Sequence, residues 1–166
     1  MPAPLIVRRA TSADQPALRR AIVELQNYER LRHATRLPGE QVADAYLDWM
    51  LRQAEAVGAV FVAESGGRFV GFVAGWIETA ENLAETADSN RFGYISDLCV
   101  MPEFRGQRAA ARLLVEIEQY LSRAGVVRLR IGALAANTSA HASYAHAGFS
   151  PYEVLYEKLI VAESDA

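Results

Sequence analysis

Cysteine is almost absent from this chain: Cys99 stands alone in 166 residues, which excludes an internal disulfide and a thiolate metal site. Histidine is scarce too. His33, His141 and His146 show no paired zinc-ligand spacing with acidic partners, so no metal is expected. There is no surplus of basic charge: 17 Lys and Arg face 20 Asp and Glu, a formal net charge of −3, and nucleic acid is not an expected partner. Long apolar runs are also missing. The longest, residues 56–63 and 69–77, are less than half of the ~20 residues a membrane helix needs, and no charged leader precedes a cleavable apolar segment. The expectation is a soluble, cytoplasmic protein with no membrane partner.

What is present suffices for a core. Hydrophobic residues make up 51% and charged residues 22%, which excludes disorder by composition. A single domain over residues 1–166 would bury roughly 70% of the surface its unfolded chain exposes.

Residues 5–8 read as a short strand, after which Thr11 or Ser12 offers an N-cap oxygen to a helix reaching about Tyr28, with Leu18, Ile22 and Leu25 at helical spacing. The stretch Arg36-Leu-Pro-Gly39 breaks the pattern before a second helix, about residues 40–55, carrying Val42, Tyr46, Trp49 and Met50 on one side. Residues 59–64 and 68–78 are rich in strand formers and joined by Ser65-Gly66-Gly67, a hairpin signal. A polar, acidic loop over 79–90 precedes a strand at 93–100. A helix then opens at Arg105-Gly106-Gln107-Arg108 and buries Ala110, Leu113, Leu114, Ile117 and Leu121. Residues 126–133 form the next strand, Asn137 or Thr138 caps a short helix ending at Gly148, and a last strand runs from Phe149 through Ile160 with Pro151 at its start. The fold class is therefore α/β: a mixed, mostly antiparallel sheet with one parallel crossover, flanked by helices.

The stretch 93–114 carries the chemistry. A strand passes through a basic turn of small residues into a helix, so unpaired amides of the first helical turn, the positive dipole end and two arginines make an anion site suited to polyphosphate. An ordinary strand-to-helix connection with solvated arginines is the alternative from these residues alone.

Arg105 and Ala110, following a strand that ends in Val100, together with Pro102, Glu103, Phe104 and the pair Leu113-Leu114, match one motif. Asn137, Ala140, Tyr144, Gly148 and Phe149 match Asn-x-x-Ala-x-x-x-Tyr-x-x-x-Gly-Phe. With these residues the chain resembles the GCN5-related N-acetyltransferase (GNAT) family, whose fold matches the predicted order of elements. The resemblance implies acetyl-CoA as co-substrate, bound by the backbone of Leu98, Cys99 and Val100, by the turn Arg105, Gly106, Gln107, Arg108, Ala109 and Ala110, and by Asn137, which otherwise caps its helix. It implies direct transfer of acetyl to a primary amine of a small molecule or peptide. Tyr144 is the expected acid that protonates the leaving thiolate, with a core aromatic as the alternative. One departure stands out: the middle glycine of the family's turn is Arg108 here. Our reading is that its side chain points outward to a phosphate; a weakened turn on a non-catalytic acyl-CoA sensor of the same fold is the competing one.

For the general base, Asp97 is the nearest carboxylate, although strand alternation sets it on the opposite face from Ser96 and Leu98. Glu78 and Glu81 are comparable base candidates acting through water and the expected substrate-binding acids on the acceptor side, and a solvent relay alone is the further alternative. Four acids and no base occupy 78–88, against six arginines and three glutamates over 101–130, an arrangement suited to a cationic amine facing an anionic coenzyme. Cys99 reads as a small core residue rather than a nucleophile, since no histidine lies nearby in sequence to activate it. His141 and His146 read as surface residues and Trp49 and Trp76 as core or pocket-wall aromatics. A dinucleotide-binding oxidoreductase is disfavoured because the turn lacks Gly-x-Gly-x-x-Gly. Acceptor, acyl length and self-association as a homodimer stay open.

Overall fold

Leu5 and Val7 are half-buried and Ile6 between them is exposed in β1, Leu5–Arg9, which lies antiparallel on β2, Gly58–Ser65. The computed structural model describes residues 3–160. The hairpin turn Gly66-Gly67 has both residues at positive φ, 56° and 73°, as the glycine pair demands, and returns the chain into β3, Arg68–Thr79. β4, Arg91–Val100, continues the antiparallel run, and β5, Leu129–Ile131, adds a parallel strand, so the order is β1-β2-β3-β4-β5.

The long apolar runs of β2 and β3 follow from burial on both faces. Val60, Val62, Phe72, Ala74 and Trp76 pack under helices α1, Gln15–Arg30, and α2, Gly39–Val57, where Leu18, Ile22, Leu47 and Met50 meet them. Ala59, Phe61, Ala63, Val73 and Ile95 face the other way onto α3, Ala109–Arg123, and its Leu113, Leu114, Ile117 and Leu121. The short α4, Thr138–His146, buries no residue and lies exposed beyond the parallel edge. No helix among the described residues is long and apolar enough to cross a membrane.

Three sequence expectations need correction. α3 begins at Ala109 rather than at Arg105, because a single 3-10 turn, Pro102–Phe104, comes first and leaves residues 105–108 as the connecting turn. β5 covers three residues of the expected 126–133, because β4 turns away after Ile95. The last strand is not formed: residues 150–160 are exposed and have no regular structure. Pro151 lacks an amide hydrogen, the apolar residues cluster as 154–156 and 159–160 instead of alternating, and a three-residue edge offers little ladder to join.

A polar knot fixes the start of α1 to the sheet. Arg8 from β1 donates to both carboxylate oxygens of Asp14, each at 2.8 Å, and also bonds Glu64 from β2. Asp14 Oδ2 further accepts from the Thr11 amide at 2.7 Å and its hydroxyl at 3.0 Å. The Arg8 hydrogen bonds hold the buried Asp14 carboxyl down at about 2. A depressed carboxyl stabilises the fold above its unfolded pKa and loses that contribution as pH falls from about 4 toward about 2. Asp14→Asn is expected to cost about 1.5–3 kcal/mol at pH 7, the range for hydrogen bonds to charged groups. Urea denaturation should show this gap narrowing below pH 4; an equal gap at pH 7 and pH 2.5 would assign the loss to packing.

Candidate functional site

β4 and β5 pair only at Gly93–Leu129, Tyr94–Arg130 and Ile95–Ile131. Directly after this, Ser96 has no opposite residue on β3, where Ile95 faces Gly75 and Asp97 faces Ala74. An extra residue of this kind bends and twists the strand that carries it, and here β4 parts from β5. Leu98, Cys99 and Val100 keep their pairing with β3. On their other side opens a cavity of about 690 Å³, lined opposite by Gly132, Ala133, Asn137 and Tyr144. Its size falls within the usual range of small-molecule sites.

The turn 105–108 forms one end of this cavity. Ala109, Ala110 and Ala111 supply the amides that lack intrahelical partners at the start of α3, and all three residues line the cavity with Arg105, Gly106 and Arg108. Gln107 lies in the turn but outside the lining. Arg108 meets the demand that a glycine would meet: it caps α3 in the left-handed region at φ 62°, ψ 12°, the one non-glycine at positive φ among the described residues. Its side chain makes no ion pair among the described residues. Arg105 is engaged, with Nε donating to Val100 O at 3.2 Å, the guanidinium 3.5 Å from Glu24, and the Tyr28 ring beneath it at 5.1 Å. These features fit an anionic, elongated ligand: charge and unpaired amides at one end, strand backbone along the side.

Around Asp97 and Tyr144 the cavity is acidic and aromatic. Ser96 and Asp97 both line the cavity, as do Leu98, Cys99 and Val100 after them, and the Ser96 hydroxyl donates to Asp97 Oδ2 at 2.6 Å. Tyr46 on α2 donates to the two Asp97 oxygens, both at 3.0 Å. Burial raises the Asp97 carboxyl to about 6, against the lowering effect of these hydrogen bonds. Tyr144 is half-buried with its ring 6.1 Å from Phe149, and burial pushes its phenol up to about 12. Cys99 is buried, its thiol pushed up to about 12, and its Sγ–H points to Ala21 O at 3.6 Å, so it stays a protonated core thiol. The Asn137 carboxamide oxygen accepts from the Ala140 amide at 3.2 Å, capping α4 and leaving its NH₂ to donate.

Glu78 and Glu81 do not line this cavity. Glu78 Oε1 accepts from Trp76 Nε1 at 2.6 Å, and Glu81 is exposed in the loop. Two of the loop's acids pair elsewhere: Asp88 meets Arg128, just before β5, at 2.7 Å, and Glu85 accepts from Tyr152 at 3.0 Å. The acid that sequence reasoning missed is Glu29, which lines the cavity and pairs with Arg36 at 3.0 Å. A signal existed: Tyr28 and Glu29 continue the stripe Leu18, Ile22, Leu25 at helical spacing, so polar groups extend a buried face. Behind Tyr46 an aromatic row runs through Trp49, Trp76 and Tyr94 at centroid spacings of 5.2, 5.3 and 6.2 Å.

The sequence profile of the acetyltransferase (GNAT) family matches residues 22–149. No curated protein matches the chain in sequence. Among solved structures, a GCN5-related N-acetyltransferase from Ralstonia eutropha JMP134 is similar with TM-score 0.72 and 20% identity over 94% of this chain and 99% of that one. The aminoglycoside N-acetyltransferase AAC(6')-Iy in complex with CoA is similar with TM-score 0.70 and 18% identity over 94% and 95%. The same enzyme with a bisubstrate analogue, CoA-S-monomethyl-acetylneamine, gives TM-score 0.69 and 15% identity over 95% and 100%. At these identities the likenesses speak to the fold.

Arg108→Gly is expected to raise thermal stability slightly, by about 0.5 kcal/mol, since relief of a left-handed residue's 1–2 kcal/mol is partly offset by the flexibility glycine adds to the unfolded chain. Arg108→Ala keeps the strained φ and should not gain. Calorimetry of the three proteins without ligand checks the order; equal midpoints for both variants would remove the backbone explanation.

Proposed function

The chain belongs to the acetyltransferase (GNAT) family, and from that premise we propose that it moves an acetyl group from acetyl-CoA to a primary amine of a small molecule or peptide by direct transfer. The observation that carries this reading is one cavity in which the open edge of β4, the basic turn before α3, Asp97 and Tyr144 converge. The structures of AAC(6')-Iy with CoA and with a bisubstrate analogue support the choice of co-substrate and of an amine acceptor.

The residues present fit the coenzyme. Amides of Ala109, Ala110 and Ala111 and the guanidiniums of Arg105 and Arg108 would hold its phosphates, while the backbone of Leu98, Cys99 and Val100 and the Asn137 NH₂ would bond the pantetheine amides. Acetyl-CoA supplies a thioester carbonyl open to attack by a neutral amine.

Asp97 serves as the base. Above about pH 6 it is ionised, and Ser96, donating to it at 2.6 Å, can take a proton from the amine while passing its own to the carboxylate. Tyr46 holds that carboxylate in place from α2. As the N–C bond forms and the C–S bond breaks, Tyr144, protonated at neutral pH, gives its proton to the leaving sulfur. The products are an amide and the free thiol. Glu29, across the same cavity, adds negative potential suited to a cationic acceptor.

Acetyl-CoA at about 100 times its dissociation constant should stabilise the protein by about 2.7 kcal/mol, and a panel of primary amines should include one that releases free thiol. Absence of a thermal shift at millimolar acetyl-CoA would overturn the reading; a shift with no thiol release from any amine would favour the acyl-CoA sensor. With the identified amine, Tyr144→Phe should lower kcat roughly tenfold or more while acetyl-CoA affinity stays within twofold. The kcat/KM profile should fall as pH drops through about 6, and Asp97→Asn should abolish that limb together with most of the rate. An unchanged limb in Asp97→Asn would leave Asp97 a structural partner of Tyr46.

A further inference from the structure

α4 is lightly attached to the rest of the fold. It buries no residue, and the other hydrogen bonds of residues 133–149 stay within that stretch: the Asn137 amide donates to Leu134 O at 2.8 Å, His141 Nε2 meets Leu134 O at 3.1 Å, and the Phe149 amide donates to Tyr144 O at 3.0 Å. Among the described residues a single hydrogen bond leaves the stretch. The Tyr28 hydroxyl, near the C-terminal end of α1, donates to Asn137 Oδ1 at 3.5 Å.

α1 gives that contact a firm base. Leu18, Ala21 and Ile22 are buried against the sheet, and Leu25 packs on the same core one turn before Tyr28. Tyr28 itself is half-buried and lines the cavity. Its ring lies near two guanidiniums: Arg32 Cζ stands 3.3 Å from the centroid and Arg105 Cζ 5.1 Å from it. Arg32 Nη1 also donates to Tyr28 O at 2.6 Å, tying ring and helix together. At the other end of the contact, a carboxamide offers two acceptor positions on its oxygen and two N–H groups. The Ala140 amide takes one acceptor position of Asn137 at 3.2 Å and Tyr28 takes the other. With the oxygen held from α4 and from α1, the NH₂ is the group that Asn137 offers to the cavity it lines.

We propose that Tyr28 is a positioning residue for the coenzyme: its hydroxyl sets Asn137, and with it the start of α4, across from the β4 edge, while its ring supports Arg105 at the phosphate end. One side chain of α1 thereby aligns two groups from different parts of the chain, one in the turn after β4 and one after β5. Groups held in place beforehand need not be ordered when the ligand binds, and affinity gains by that amount. The inference rests on reading this cavity as a coenzyme site.

Calorimetric titration with CoA and with 3′-phospho-ADP, which carries the phosphates without the pantetheine arm, separates the two contacts. Tyr28→Phe keeps the ring and should weaken CoA about three- to tenfold, the worth of one hydrogen bond, while 3′-phospho-ADP stays within about twofold. Tyr28→Leu removes the ring as well and should weaken 3′-phospho-ADP about two- to fivefold. Asn137→Ser keeps a capping oxygen but has no NH₂; it should weaken CoA, and adding Tyr28→Phe to it should cost nothing more. Losses that add in the double variant would make Tyr28 a packing residue and overturn the proposal. So would CoA bound by Tyr28→Phe as tightly as by the unaltered chain. Absence of CoA binding to the unaltered chain overturns the coenzyme reading itself, and this inference with it.

Discussion

The cavity of this molecule depends on a loss of pairing between two parallel strands: beyond Ile95 and Ile131, β4 and β5 cease to share hydrogen bonds. Backbone amides and carbonyls are costly to leave unmatched in a protected place, so a strand edge facing a cleft becomes a row of fixed donors and acceptors. Ser96 causes the parting by entering β4 as an unopposed residue. At that bulge the Ser96 hydroxyl donates to the Asp97 carboxylate, and both residues line the cavity. The open edge of β4 and the Ser96–Asp97 contact thus meet at one inserted residue.

Electrostatics divide the cavity along its length. The turn before α3 gathers unpaired amides and arginines at the end suited to phosphate, and Asp97 and Glu29 hold the other end negative. Neither end is free of partners before ligand arrives. Arg105 leans on Glu24 and Glu29 on Arg36, so a charged ligand meeting these two would exchange one ionic partner for another instead of neutralising bare charge. Such exchange lowers net affinity per contact but keeps both walls oriented beforehand.

Much of the architecture was legible because it rests on local pattern. The apolar stripe of α3, the glycine pair of the β2–β3 hairpin and the continuous apolar strands state their roles in a few consecutive residues. The basic turn of small residues before α3 was legible for the same reason, although α3 starts at Ala109 rather than at Arg105. The bulge was not: Ser96 becomes unopposed only when β3 is set beside β4, a relation between residues about twenty apart. Tyr46 escaped for a similar reason, since its place on the apolar side of α2 hides the hydroxyl that reaches Asp97. The last strand was misjudged because apolar content suggests a strand, while a strand also needs an edge long enough to receive it.

The aromatic row behind Asp97 has an optical consequence. The chain has two tryptophans, and they stand edge to face 5.3 Å apart, one bonded to a carboxylate and the other touching the tyrosine that holds Asp97. Its indole emission therefore originates from one place, the seam between α2 and the sheet, and carries no signal from α3 or α4. A shift in how α2 sits on β3 and β4 alters the surroundings of both indoles together. The native fluorescence is in this sense a local gauge, built into the wall that supports the acid.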